Sequence, residues 1–127
     1  MGAELRGRIS VAVMGAFYIL AGLNHFVFPE FYLPLIPDYL PFHDFINYAS
    51  GALEALLGLG LFFTKTRKAA AYAIVGLLLL FIPSHVHFIR IGGCVPDGLC
   101  AGLAVSWLRL ILIHPLLILW AVYTGRQ

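Results

Sequence analysis

Four long apolar stretches, separated by short connections, dominate the pattern of the 127-residue chain. They cover residues 9–28, 45–63, 69–88 and 103–123. Each is close to the ~20 residues that an α-helix needs to cross the hydrocarbon core of a bilayer. In lipid the backbone must satisfy its own hydrogen bonds, which favours helices. The pattern therefore predicts an all-α membrane protein, a single domain over residues 1–127 folded as a four-transmembrane-helix bundle.

The three connections differ in character. Residues 64–68 form a tight basic turn, and residues 91–98 form a Gly- and Pro-rich loop. Residues 29–41 contain four prolines and cannot form one long regular helix, yet they remain apolar and aromatic. This pattern predicts a proline-rich segment between the first two spans that lies in the membrane interface or caps the bundle.

The composition of the chain also indicates that its solvent is lipid rather than water. Hydrophobic residues make up 61% of the chain and charged residues only 11%, against about 25% charged residues in a soluble domain. The partner that this predicts is the lipid bilayer. The net charge of +2 is too small to indicate a nucleic-acid-binding protein.

The charged residues also predict an orientation. In a four-span bundle one side carries the basic residues Arg6, Arg8, Lys65, Arg67, Lys68 and Arg126. The other side carries Glu30, Asp38, Asp44 and Asp97, with Arg90 as its one basic residue. The positive-inside rule then predicts a multi-pass protein of the cell membrane with both termini in the cytoplasm.

Cys94 and Cys100, the two cysteines of the chain, lie in the loop that this orientation places outside. An oxidising compartment favours a disulfide between them. Their Cys-x5-Cys spacing differs from the Cys-x-x-Cys of reactive dithiols, so we expect a structural bond rather than a redox centre. The chain-entropy model gives it roughly 2 kcal/mol of stabilisation.

Ionisable and amide side chains inside the apolar stretches are the strongest functional indication. A charge at the centre of a span costs about 2.5–3.5 kcal/mol on insertion scales, so such residues indicate a site. The predicted pocket residues are Asn24, His25, Glu54, His85, His87, Arg109 and His114. Their depths predict one polar pocket that opens toward the outer face.

Helical spacing predicts which faces meet. In the first span Gly15, Tyr18, Gly22 and His25 share one face. In the second span Asn47, Ser50, Gly51, Glu54 and Gly58 do so. Small residues let a neighbouring backbone approach, so we expect both faces to point into the bundle, although His25 could equally lie at the membrane interface.

Glu54 and Arg109 are the predicted neutralising pair. Glu54 alternatively forms another structural ion pair, or stays protonated and hydrogen-bonded. His85 and His87 are two residues apart and face different ways on a regular helix. A stripe through Tyr72 and Pro83 favours His87 inward, unless Pro83 distorts the helix.

Pro115 follows His114 in the fourth span. It has no N–H to donate to the carbonyl of Ile111, so we expect a kink there.

Several short motifs resemble those of DoxX-like membrane proteins. They are Gly-Leu-Asn-His-Phe at 22–26, Ser-Gly-Ala-Leu-Glu at 50–54, Pro-Ser-His at 83–85 and Trp-Leu-Arg-Leu at 107–110. The resemblance covers nearly the whole chain and implies a four-helix bundle. The chain departs from the pattern of that family at His85, which replaces an amide, and at Ile111 and His114, which stand where proline and glutamine are common.

Three functions are compatible with these features. Members of the DoxX-like family are linked to quinone or thiosulfate redox systems, to membrane oxidoreductase complexes and to receptor assembly. The first hypothesis is a redox accessory, without independent catalytic activity, whose pocket binds a quinone or a similar small molecule. The second is an assembly factor or subunit that docks on a membrane protein partner or forms a homo-oligomer.

The third is a metal site. Imidazoles of His25, His85 or His87 and His114, with the carboxylate of Glu54, are acceptable ligands for zinc, copper or iron. No two of these histidines have the i, i+4 spacing that prepares a site on one helix, so we assign no metal ligands.

Overall fold

The computed structural model describes residues 1–127 as an all-helical chain. Seven α-helices are present: α1 (Gly2–Val27), α2 (Pro29–Tyr32), α3 (His43–Gly60), α4 (Thr64–Leu80), α5 (Ile82–Arg90), α6 (Leu103–Leu108) and α7 (His114–Gly125). A 3-10 turn, Leu33–Leu35, follows α2, and a π-helical segment, Arg109–Ile113, joins α6 to α7. The one β-type pairing is an isolated antiparallel bridge between Cys94 and Cys100.

Three helical stretches are long and apolar enough to cross a membrane. They are Gly2–Val27, Thr64–Arg90 and Leu103–Gly125. The prediction of membrane-length apolar helices is confirmed for these three. The remaining long helix, α3, has 18 residues, includes His43, Asp44 and Glu54, and is not among these three.

The outward surface of the long helices is hydrocarbon. Leu20, Leu56, Leu80 and Leu119 are 64–74% exposed, and they come from four different helices. Only 28 of the 127 residues are buried. A soluble protein would not leave so many large apolar side chains in water, so lipid is the solvent that this surface fits.

Glycine contacts hold α1 tightly against α3. A Cβ placed on Gly51 would stand 2.6 Å from Cβ of His25, and one on Gly58 would stand 2.8 Å from the carbonyl oxygen of Gly15. Gly22 is likewise pressed against the backbone of α3. The predicted small-residue faces are therefore the ones that meet, and they bring the two backbones into direct contact.

The second helix pair is α4 with α7, which pack along each other on the far side of the bundle. The apolar core lies between the pairs. It consists of Met14, Tyr18, Leu61, Ala70, Ala71, Ile74, Leu78 and Ala121. At one end Ser10 and Thr124 share a hydrogen bond of 2.7 Å, and Trp120 Nε1 donates to Ser10 Oγ at 2.8 Å. The two chain termini therefore lie at the same end of the bundle.

Both intramembrane prolines interrupt their helices. Pro83 lies at the start of α5, and the regular helix breaks at Phe81. At Pro115 the interruption takes the form of a π-helical segment, in which the N–H of His114 donates to the carbonyl of Arg109. The π segment reorganises the hydrogen bonds around a proline that cannot donate to Ile111, so the predicted kink appears as a local change of helix type.

The proline-rich segment folds over one flank of the bundle. After α2 and the 3-10 turn the chain extends at Ile36, whose side chain is 6% exposed. The Nε2–H of His43 then donates to the carbonyl of Pro37 at 3.1 Å, tying the segment to the start of α3. Phe42, in a left-handed conformation with φ of 56°, turns the chain into α3.

The loop between α5 and α6 is closed by a disulfide, as predicted. Cys94 is bonded to Cys100, and the backbone N–H of Val95 donates to the carbonyl of Leu99 at 2.7 Å. The N–H of Ala101 donates to the carbonyl of Gly93 at 2.8 Å. These bonds make a short hairpin whose cysteines are exposed.

Candidate functional site

A cavity of about 560 Å³ lies between α1, α3, α5 and the proline-rich segment. Fourteen of its 22 lining residues are hydrophobic. The polar side chains that reach its wall are those of His25, Tyr32, Asn47, Ser50, Glu54, Ser84, His85 and Arg109. Such a mixture of apolar walls with a few polar groups is typical of a site for a small organic ligand.

The fold brings His25 to Glu54 through the glycine packing of α1 on α3. His25 is in the last turn of α1, and Glu54 is in the middle of α3. Because Gly22 and Gly51 let the two backbones touch, the imidazole lies across α3 rather than pointing away from it. Both side chains are nearly enclosed, with 10% of His25 and 8% of Glu54 exposed.

The Nε2 atom of His25 lies 3.1 Å from Oε2 of Glu54. That oxygen is buried and makes no well-aligned hydrogen bond. The contact with His25 is therefore defined by the short distance between the two atoms. A bare nitrogen lone pair facing a bare carboxylate at this distance would be repulsive. One proton therefore belongs between the two atoms, on the imidazole or on the acid.

Asn47 fixes which nitrogen of His25 faces Glu54. The Nδ2–H of Asn47 donates to the backbone carbonyl of His25 at 3.0 Å, so Oδ1 is the atom that faces the ring. Oδ1 lies 2.7 Å from Nδ1 of His25 and accepts from it. Nδ1 therefore carries a hydrogen, and Nε2 is the nitrogen that exchanges a proton with Glu54.

Tyr32 covers the other face of the imidazole. Its ring stacks on His25 with centroids 3.8 Å apart and planes 19° from parallel. The Nδ2–H of Asn24 donates to the Tyr32 hydroxyl at 2.7 Å. Asn24, predicted to line the pocket, does not reach the cavity wall. It positions the tyrosine instead.

His85 and His114 form a second imidazole pair. Their rings meet edge to face with centroids 4.7 Å apart. His114 donates through Nε2 to the carbonyl of Leu78 at 2.6 Å, close to the break in the helix before α5. His85 lies on the cavity wall, whereas His114 stands behind it.

His87 lies outside the cavity wall, so the stripe that favoured it inward was misleading. In α4 the stripe faces away from the bundle, since Tyr72 and Gly76 are both exposed. His85 instead continues the buried face of Ile74 and Leu78, which precede it by eleven and seven residues.

The predicted ion pair between Glu54 and Arg109 is wrong. Glu54 contacts His25, and no salt bridge involves Arg109. The guanidinium carbon lies 5.3 Å from the ring centroid of Phe88, a cation–π contact. Glu54 and Arg109 nevertheless line the same cavity.

No group of three His, Cys, Asp or Glu side chains is arranged to hold a metal ion. The histidines of the site are divided between the His25–Glu54 contact and the His85–His114 contact. The metal hypothesis therefore has no ligand set in this geometry to support it.

Comparison with known proteins identifies a family but no function. A family model described as "Domain of unknown function (DUF8561)" matches residues 14–124. The chain belongs to this family. No curated protein and no solved structure matches the chain.

The region matched by the DUF8561 model contains every polar residue of the cavity wall. Two important ones, Asn47 and Tyr32, were not predicted as site residues. Asn47 lies two helical turns before Glu54 on the same face, which is a periodicity that pointed to it. The position of Tyr32 depends on the fold of the proline-rich segment and has no such periodicity.

Proposed function

We propose that this protein is a multi-pass protein of the cell membrane whose outward-facing pocket binds a quinone-like or other amphiphilic small molecule. In this role it serves as an accessory of a membrane redox system. The single observation that carries the proposal is the His25–Glu54 contact on the wall of a largely apolar cavity.

In this proposal α3 is a fourth span, and both termini face the cytoplasm. Its polar and small residues support the assignment, because Asn47, Gly51, Glu54 and Gly58 are all buried against neighbouring helices. The exposed residues of the same helix include Leu56 and Leu59, which suit lipid. The basic end of the bundle, where the termini meet, is the cytoplasmic side by the positive-inside rule.

The proline-rich segment is then an outer, interfacial cover. Tyr39, Phe42 and Phe45 are 70–79% exposed, and aromatic rings of this kind favour the headgroup region. Beneath them the segment contributes Tyr32 and Ile36 to the cavity wall. A ligand would enter from the outer leaflet past this cover.

The chemistry available in the cavity is proton exchange. The proton between Nε2 of His25 and Oε2 of Glu54 would lie close to the head of a bound ligand, and imidazole is suited to proton transfer near neutral pH. A quinone that takes up electrons from a redox partner also takes up protons. We propose that this pair is the proton site, and that the partner supplies the electrons. A distant relationship to DoxX-like proteins is part of this proposal.

The assembly-factor alternative loses one of its supports. The small-residue faces and the proline-rich segment would be the docking surfaces of such a factor, but Gly15, Gly22, Gly51 and Gly58 are occupied by the contact between α1 and α3.

The test is direct binding of a short-chain quinone to purified protein in phosphatidylcholine nanodiscs, measured against empty nanodiscs. We expect saturable binding that Glu54→Gln weakens by roughly tenfold, the scale of one lost charge-assisted contact. Glu30→Gln is the matched control, because Glu30 is exposed and outside the cavity. Binding equal to that of empty nanodiscs would overturn the proposal.

A further inference from the structure

The cavity has an uncompensated positive charge. Glu54 is its only carboxylate, and Arg109 is its only lysine or arginine. The carboxylate is already neutralised, since one proton lies between it and His25. Neither position of that proton changes the net charge of the pair, so nothing on the cavity wall offsets the guanidinium.

The guanidinium also has unused hydrogen-bonding capacity. Arginine carries five N–H donors in a planar fork. None of them donates to any other group of the protein. The guanidinium carbon lies 5.3 Å from the ring centroid of Phe88, a contact that steadies the plane without using its donors. A planar fork presented in this way matches the oxygens of an ionised acid, which it binds with two parallel hydrogen bonds.

The rest of the wall specifies the other half of the ligand. Leu35, Ile36 and Leu40 from the proline-rich segment face Leu77 and Phe81 from α4 and the break that follows it. These side chains suit an alkyl chain or an apolar ring. A volume of about 560 Å³ has room for a ligand of moderate size, but not for a whole two-chain lipid.

We propose that the cavity selects an amphiphile with an ionised acidic head, a carboxylate or phosphate, which binds Arg109 while its apolar body lies against the proline-rich segment. This inference rests on the proposed ligand-binding role of the cavity and narrows the ligand class. The head would come from a free amphiphilic acid or from an anionic lipid that inserts one chain.

The test compares three twelve-carbon probes: dodecanoate, dodecanol and dodecyltrimethylammonium. Binding is measured at pH 8 in phosphatidylcholine nanodiscs, with empty nanodiscs subtracted. We expect dodecanoate to bind about 30-fold more tightly than dodecanol, within the range for charge-assisted hydrogen bonds, and the cation to bind most weakly. Arg109→Gln should bring the ratio of dodecanoate to dodecanol affinity close to one, whereas Arg109→Lys should retain part of it.

Arg90→Gln is the matched control, because Arg90 is exposed at the end of α5 and does not line the cavity. For this variant the ratio of dodecanoate to dodecanol affinity should equal that of the wild type. Equal affinity for dodecanoate and dodecanol in the wild type would overturn the inference even if Arg109→Gln failed to fold. In that case binding of dodecanol or the short-chain quinone would leave the proposed function standing, while no binding of any probe would overturn both.

A second arm identifies the source of the acid. One third of the phosphatidylcholine is replaced by phosphatidylglycerol. A fall in dodecanoate affinity that is largest for the wild type, smaller for Arg109→Lys and absent from Arg109→Gln assigns the head to an anionic lipid. Unchanged affinity assigns it to a free acid. A fall of equal size in every variant, Arg109→Gln included, reports repulsion of the probe by the membrane surface charge and likewise assigns the head to a free acid.

Discussion

Nε2 of His25 and Oε2 of Glu54 lie 3.1 Å apart although they come from different helices and almost no solvent reaches either side chain. Such a contact is mutually dependent. Each group makes the other tolerable in an apolar environment, and removing one leaves a buried polar group with nothing to offset it.

We therefore predict that His25→Ala destabilises the protein by about 3 kcal/mol, since it strands the Glu54 carboxylate. The double variant His25→Leu with Glu54→Leu should recover most of that loss, because it removes both charges and fills the space. The measurement is unfolding in mixed micelles by denaturing detergent. His87→Ala is the control, since His87 is half-buried outside the cavity, and a comparable loss there would count against the assignment.

A second prediction concerns the tautomer of His25. Because Asn47 accepts from Nδ1, we expect the imidazole ¹⁵N spectrum to show Nδ1 with a bound proton throughout the range in which the protein is folded. Asn47→Leu removes the acceptor and should let the ring populate both tautomers. A wild-type spectrum with an unprotonated Nδ1 would show that Nε2 is not the exchanging nitrogen.

The contact of α1 with α3 gives a third prediction. A methyl group on Gly58 would meet the backbone of α1 at 2.8 Å, so Gly58→Ala should cost roughly 2 kcal/mol through forced separation of the helices. Gly76→Ala is a matched control in α4, because nothing lies within 4 Å of a Cβ there. That change should be neutral or stabilising by up to about 1 kcal/mol, as expected for Gly→Ala in a helix. Equal effects at both positions would argue against close packing.

These packing contacts show what the sequence is able to predict. The spacing of Gly15 and Gly22 on α1 and of Gly51 and Gly58 on α3 follows directly from helical periodicity, and so do the faces that meet. The lengths of the apolar stretches can likewise be predicted from the sequence, because every helix that crosses the membrane meets the same hydrocarbon core. Such features are local, and they do not require knowledge of how distant segments are placed.

The choice of partners inside the cavity was less predictable. Glu54 had two candidate partners, and periodicity does not say whether His25 or Arg109 comes closer. That depends on the depth of α1 relative to α3 and on Tyr32 stacking over the imidazole. Whether His85 or His87 points inward depends on which face of α4 packs in the bundle: Ile74 and Leu78 are buried, whereas Tyr72 and Gly76 are exposed. Contacts of this kind arise from several weak constraints acting together.

The last prediction concerns the disulfide between Cys94 and Cys100, which lies outside the cavity. It closes a short hairpin whose backbone hydrogen bonds already hold its two arms together, so its removal should lower stability by roughly 2 kcal/mol without changing ligand affinity. The measurement compares wild type with the double variant Cys94→Ser, Cys100→Ser, in unfolding and in quinone or dodecanoate binding. Reduction of the wild type should reproduce the variant, which controls for the serines themselves. If ligand affinity fell together with stability, the bond would be coupled to the pocket, and its role would extend beyond holding the loop.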